Sequence, residues 1–207
     1  MRTLDLAALR DTPLARDPYE HVVVPGFVRG DAVGAITGDF PSIAKPGLFP
    51  LSVLQSGPAF RALVDELDGP EFEFAVAEKF GLPLAGQPKL FTVRGRCARR
   101  DGGIHTDTAT KIVTVLLYLN AGWEKDGGRL RVLRRGDDLS DYAAEVPPVA
   151  GTLLAFRRSE KSFHGHLPFE GERRAIQMNW MTTVASRDRE LARHRFSARL
   201  KRLNPFA

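Results

Sequence analysis

The chain has 207 residues, 43% of them hydrophobic and 27% charged, with a formal charge of +5 and one cysteine, Cys97. This length suits one domain with a decorated edge, and this balance excludes a disordered chain. One cysteine excludes an intrachain disulfide, the charge-broken N-terminus lacks the apolar run of a secretory signal, and the longest apolar stretch, around Ile112 to Leu119, is too short for a bilayer, so a cytoplasmic protein is expected. In chain order, His21 to Phe27 reads as a strand stopped by Pro25 and Gly26, and Asp31 offers an N-cap to a helix carrying Ala32, Val33 and Ile36. Phe60, Leu63, Val64 and Leu67 follow the spacing of a helix with one buried face. Gly69-Pro70 ends that helix and starts another, with Phe72, Val76 and Phe80 aligned and Gly81 closing it.

From Lys89 the pattern changes to short β-rich runs between glycine turns: LFTVRG, TKIVTVLLYLN, GGRLRVL, GTLLAF and RRAIQMNWMTTV. Several short strands with no helical run between them predict an all-β sandwich or barrel. A final helix is expected from about Ser186, where residues 187–207 hold seven basic and two acidic side chains, a surplus equal to that of the whole chain. Ala192, Phe196, Leu200 and Leu203 recur there at helical spacing and predict the docked face, with the charges solvated. The expected organisation is a helical support layer over 1–88, a β core over 89–184 and a basic helix over 185–207, packed as one α+β unit.

Two stretches carry chemistry. His105 and Asp107 lie two apart just before a strong strand, and in extended chain such residues point to one face, where an imidazole and a carboxylate can converge on a metal. His164, 57 residues beyond Asp107, could complete a two-histidine, one-carboxylate triad, which leaves positions open on Fe(II) for a bidentate keto acid and O₂. In the following strand Arg173, Ala175, Gln177 and Asn179 share a polar face, and Arg174, Ile176, Met178 and Trp180 share a mostly apolar one. A polar face led by arginine suits a dicarboxylate, because a guanidinium pairs a carboxylate through two hydrogen bonds.

The run from about Lys89 to Val184 resembles the Fe(II)/2-oxoglutarate-dependent oxygenases of the prolyl 4-hydroxylase type. The matching positions are His105 and Asp107; Tyr118, Leu119 and Asn120; Trp123; Gly127 and Gly128 before Leu130; and His164 with Pro168 four later and Arg173 nine later. The resemblance implies a double-stranded β-helix, or jelly roll, with Fe(II) held by His105, Asp107 and His164 and the distal carboxylate of 2-oxoglutarate bound by Arg173 and Tyr118. It implies a dioxygenase that hydroxylates an aliphatic C–H bond and decarboxylates 2-oxoglutarate to succinate, with O₂ as partner and a prolyl or other peptidyl side chain as substrate. Ascorbate dependence is an analogy with similar enzymes. The other readings are a small-molecule hydroxylase of the same chemistry and a non-catalytic metal-binding β-barrel. A nucleic-acid demethylase is disfavoured, because that branch carries a second arginine six residues on, where this chain has Asn179.

Some assignments stay open on the residues alone. His166 lies two from His164, and only the proline and arginine offsets of the family pattern favour His164; His166 would then support a ligand or line the entrance. Strand parity favours Arg173 over Arg174. Tyr118 has a core reading, and Gln177 and Asn179 either pack or line the pocket. Cys97 sits among arginines without a partner signature for catalysis, and His21 and His194 have no motif, His194 being expected on the surface. Segments 95–103 and 136–145 are expected as substrate-facing loops, with the basic Arg94–Arg100 run favouring a substrate of negative character.

Overall fold

Alternation along three strands decides the architecture. In β4 (Lys111–Tyr118), β7 (Leu153–Arg157) and β9 (Gly171–Met181), one set of side chains is apolar and fully buried: Val113, Val115, Leu117; Leu153, Ala155; Ile176, Met178, Trp180. The other set, including Tyr118, Leu154, Phe156 and Ala175, belongs to a second, smaller apolar cluster. A strand sends successive side chains to opposite faces, so these three divide two cores between the faces of one sheet.

The computed structural model describes residues 2–203. The large sheet has six strands in the order β1-β7-β4-β9-β3-β2, where β1 is His21–Val24, β2 Phe49–Pro50 and β3 Lys89–Cys97. The small sheet is β6-β5-β8, with β5 Leu130–Leu133, β6 Tyr142–Val146 and β8 His164–Gly165, and every strand pairing in both sheets is antiparallel. The sheets enclose the smaller cluster of Tyr19, Leu130, Val132 and Phe156, and the jelly-roll expectation holds.

The outer face of the large sheet is covered by α1 (Leu6–Asp11), α2 (Gly30–Gly38), α3 (Pro58–Asp68) and α4 (Pro70–Phe80), which contribute Leu9, Ile36, Phe60, Leu63, Phe72 and Val76 to the larger core. Gly69 caps the end of α3 and the start of α4, and Gly81 ends α4 at φ 62°, a left-handed conformation that glycine adopts without strain. α5 (Val184–Leu203) begins where the Thr183 hydroxyl accepts the Ser186 N–H and the Ser186 hydroxyl accepts the Thr183 N–H, a reciprocal cap. Among the described residues no helix is long and apolar enough to cross a membrane.

Four local expectations are corrected. Asp31 lies within the first turn of α2 and Arg29 holds the N-cap without a side-chain bond, so the acid acts on the helix dipole. Residues 142–145, expected within a loop, belong to β6, whose half-exposed side chains gave no alternation to read. The face of α5 is the reverse of that expected: Phe196 and Leu200 are 65% and 52% exposed, and Ser186 and Ala198 are buried. α5 rests on β2, β3 and β9 beside a polar cavity, which favours its polar side; the side chains of Arg202 and Leu203 lie outside the described residues. His194 belongs to that docked side, its side chain only 15% exposed.

Candidate active site

His105 and His164 are brought together by backbone pairing. The His105 N–H donates to the His164 carbonyl at 3.1 Å and the His164 N–H donates back to His105 at 3.0 Å, leaving the rings 4.4 Å apart between centroids. Each ring is oriented through Nδ1, on Gly103 O at 2.8 Å for His105 and on Ser162 O at 2.9 Å for His164. A carbonyl accepts only from a protonated Nδ1, so in the neutral form of each ring the lone pair lies on Nε2. Asp107 follows His105 by two residues on the same face, and the ligand atoms of His105, Asp107 and His164 lie within 4.8 Å of one another. Among the described residues these three form the group able to hold a metal ion. Two imidazoles and a carboxylate are the donor set of a non-haem Fe(II) site, so the residues fit that ion.

Electrostatics keep the donors in ligating form. Burial alone would push the Asp107 carboxyl up, but the Lys111 ammonium, His164, and hydrogen bonds from Lys111 and Thr114 outweigh it and hold the group below the usual carboxylate range. The Lys111 Nζ is 2.6 Å from Oδ1, and the Thr114 hydroxyl donates to Oδ2. Burial lowers His164 to about 4, against the pull of Asp107, so its ring is neutral at neutral pH.

These groups line a cavity of about 330 Å³ whose walls include Gly102, Leu116, Leu130, Arg173, Gln177 and Asn179. Four cationic side chains other than histidine reach it. Arg94 is paired with Asp101 at 2.7 Å, Lys111 with Asp107, and Arg193 with Glu190 at 2.5 Å. Arg173 differs: it is 5% exposed, its Nε donates to Gly128 O at 2.8 Å and its Nη2 to the Tyr118 hydroxyl at 3.3 Å, with no carboxylate partner among the described residues. A buried guanidinium with only neutral partners is a site for an anionic ligand. Tyr118 is wholly buried, and burial pushes its phenol up despite Arg173, so it is protonated at neutral pH.

The structure settles most of the open residues. Arg173, Gln177 and Asn179 face the cavity as strand parity predicts, and Arg174 faces outward, bonded to Thr37 O and Glu172. His166 lines the cavity with Nδ1 on Leu167 O at 2.8 Å, outside the three-residue metal group; burial and then Arg173 lower it to about 4. Cys97 is buried, 3.6 Å from the Arg94 guanidinium. Segment 136–145 supplies no cavity residue, and of segment 95–103 only Gly102 does. Arg94 is neutralised by Asp101, and Arg99 and Arg100 lie outside the lining, so this basic run does not make the cavity attractive to anions. Sequence reasoning missed Lys111 and Thr114, although Thr114 shares the parity of Tyr118 that would have placed it inward. It also missed Glu190, Arg193 and His194 of α5, for which no periodic signal exists.

A jelly roll with a His-x-Asp…His group on one cavity carries the donor set of a non-haem iron centre. Residues 96–182 match the model of the 2OG-Fe(II) oxygenase superfamily. No curated protein sequence matches the chain. Among solved structures it is similar to a Pseudomonas putida prolyl-4-hydroxylase, with 22% identity over 85% of this chain and 98% of that one and a TM-score of 0.58. It is similar in fold to a viral collagen prolyl hydroxylase from Paramecium Bursaria Chlorella virus-1, with 14% identity over 79% and 96% of the two chains and a TM-score of 0.56. HygX from Streptomyces hygroscopicus, solved with nickel and 2-oxoglutarate bound, shares the fold at 15% identity over 79% and 83% of the chains, with a TM-score of 0.52.

Proposed function

We propose that this dioxygenase hydroxylates an aliphatic C–H bond of a prolyl or other peptidyl side chain, with His105, Asp107 and His164 holding Fe(II) and Arg173 and Tyr118 binding 2-oxoglutarate. The observation that carries the reading is one cavity with a convergent His-Asp-His group and a buried arginine that has no acidic partner. Fe(II) with bound 2-oxoglutarate supplies O₂ activation, one oxygen atom entering the substrate as hydroxyl and the other entering succinate as CO₂ leaves. The protein's part is orientation and exclusion of water. Arg173 and the neutral Tyr118 hydroxyl donate to the distal carboxylate of 2-oxoglutarate, and the Nδ1 bonds of His105 and His164 fix the rings before any ligand arrives. The likeness to two prolyl hydroxylases supports a peptidyl substrate. Ascorbate acts in this reading as an auxiliary reductant, and the cytoplasm is the compartment.

The test is anaerobic titration of the metal-free protein with Fe(II) and 2-oxoglutarate, following the visible iron-to-keto-acid charge-transfer band. The band is expected in wild type and absent in His164→Ala; a wild type without it refutes the reading. Proline-containing peptides are then expected to stimulate succinate formation, and a panel that leaves succinate at its substrate-free level counts against the peptidyl assignment.

A further inference from the structure

We propose that Thr114, Asn179 and Gln177 form a positioning network for the Asp107 carboxylate, a hydrogen-bond string of fixed polarity that tightens metal binding without touching the metal. The inference rests on the reading of Asp107 as a ligand. Thr114 and Asn179 are direct register partners in the β4–β9 ladder, and both are buried, at 2% and 1% exposure. The direction of every bond follows from the ends. An ionised carboxylate only accepts, so the Thr114 hydroxyl spends its one proton on Asp107 Oδ2 and turns its lone pairs to Asn179 Nδ2, at 2.8 Å. The Asn179 carbonyl oxygen then faces the amide of Gln177, whose Nε2 donates to it at 3.3 Å. Oδ2 is held from this side and Oδ1 from the other by Lys111, so the carboxylate plane has one orientation.

A packing role alone would not require these residue types. Thr114 and Asn179 sit in strand interiors where valine and leucine would fill similar space, and replacing both members of a buried hydrogen-bonded pair with apolar groups of the same shape is nearly neutral for stability. The polarity is explained by what lies at its end. Groups that orient a metal ligand typically change metal affinity about 10–100-fold when removed.

The experiment measures Co(II) binding to the metal-free protein, by calorimetry and by the visible absorption of bound Co(II), with no 2-oxoglutarate present. Thr114→Val is expected to raise the Co(II) Kd about 10–100-fold and to change the Co(II) spectrum, with Thr114→Ser restoring both. Asn179→Leu breaks the string one bond from the carboxylate and is expected to weaken binding less, and it carries the same test if Thr114→Val does not fold. The double variant is expected to bind as Thr114→Val does, because members of one string are not additive. Undiminished affinity in folded Thr114→Val, no rescue by serine, or additive losses overturns the network alone. A wild type that binds no Co(II) overturns the metal site and the network with it.

Discussion

Arg173 carries the clearest single-residue consequence. It is buried beside one phenol and one carbonyl, with no carboxylate partner among the described residues. Arg173→Leu is expected to raise the KM for 2-oxoglutarate by about 30-fold or more, since losing one partner of a buried charge pair costs about 2 kcal/mol at least. Tyr118→Phe removes one neutral hydrogen-bond donor and is expected to raise it several-fold only. Steady-state titration of 2-oxoglutarate separates the two. Strand parity distinguishes the cavity-facing Arg173 from the outward Arg174, whereas the His105-x-Asp107 spacing is weak alone and gains weight only from the motif that follows it. His164 against His166 was not legible from parity, since both share a face. It is the backbone pair with His105, a contact between residues 59 apart, that sets His164 in the metal group.

At the scale of elements, the long alternating strands were readable and the short or one-sided ones were not. β4, β7 and β9 are buried on both faces, so their composition reports two cores at once. β2 and β8 contain two residues each, too few for any period to show. α5 misled because its large apolar side chains Phe196 and Leu200 are exposed. The Tyr-Leu-Asn at the end of β4 illustrates a motif residue with a structural task. The Asn120 amide donates to Pro148 O at 2.6 Å and Arg174 O at 3.1 Å, and its carbonyl accepts the Arg174 N–H at 2.7 Å. It thus ties the end of β4 to β9 and to the loop before β7. Asn120→Ala takes these partners from Pro148 O and the Arg174 N–H, while Arg174 O keeps the Leu119 N–H, and it is expected to cost about 2 kcal/mol of stability, measured as a lower denaturant midpoint with an unchanged m-value.

For the whole molecule, the buried His164 makes stability depend on pH, and the metal group makes it depend on metal. The folded-state pKa of His164 is lowered to about 4 by burial, whereas its ordinary value is 6.5, so the unfolded chain takes up the proton first as pH falls. Stability contributed by the neutral ring is complete above pH 6.5 and is lost between there and about 4, roughly 3 kcal/mol from this residue. Thermal melts of the metal-free protein are expected to show Tm falling steeply over that window, and His164→Asn is expected to flatten the fall. Fe(II) or Co(II) binds only the folded site, so each tenfold rise in free metal above Kd is expected to add about 1.4 kcal/mol at neutral pH.

The position of α5 has a consequence for how such a molecule can diverge. The three metal donors and Arg173 all precede residue 183, and the helix that brings Glu190, Arg193 and His194 to the cavity wall starts after it. The metal donors and these three wall residues therefore come from adjoining stretches of chain that do not overlap. Exchanging side chains along one helix can alter which molecules enter while every hydrogen bond of the reacting strands stays as it is, so new preferences can arise without the folding risk that accompanies change inside a barrel.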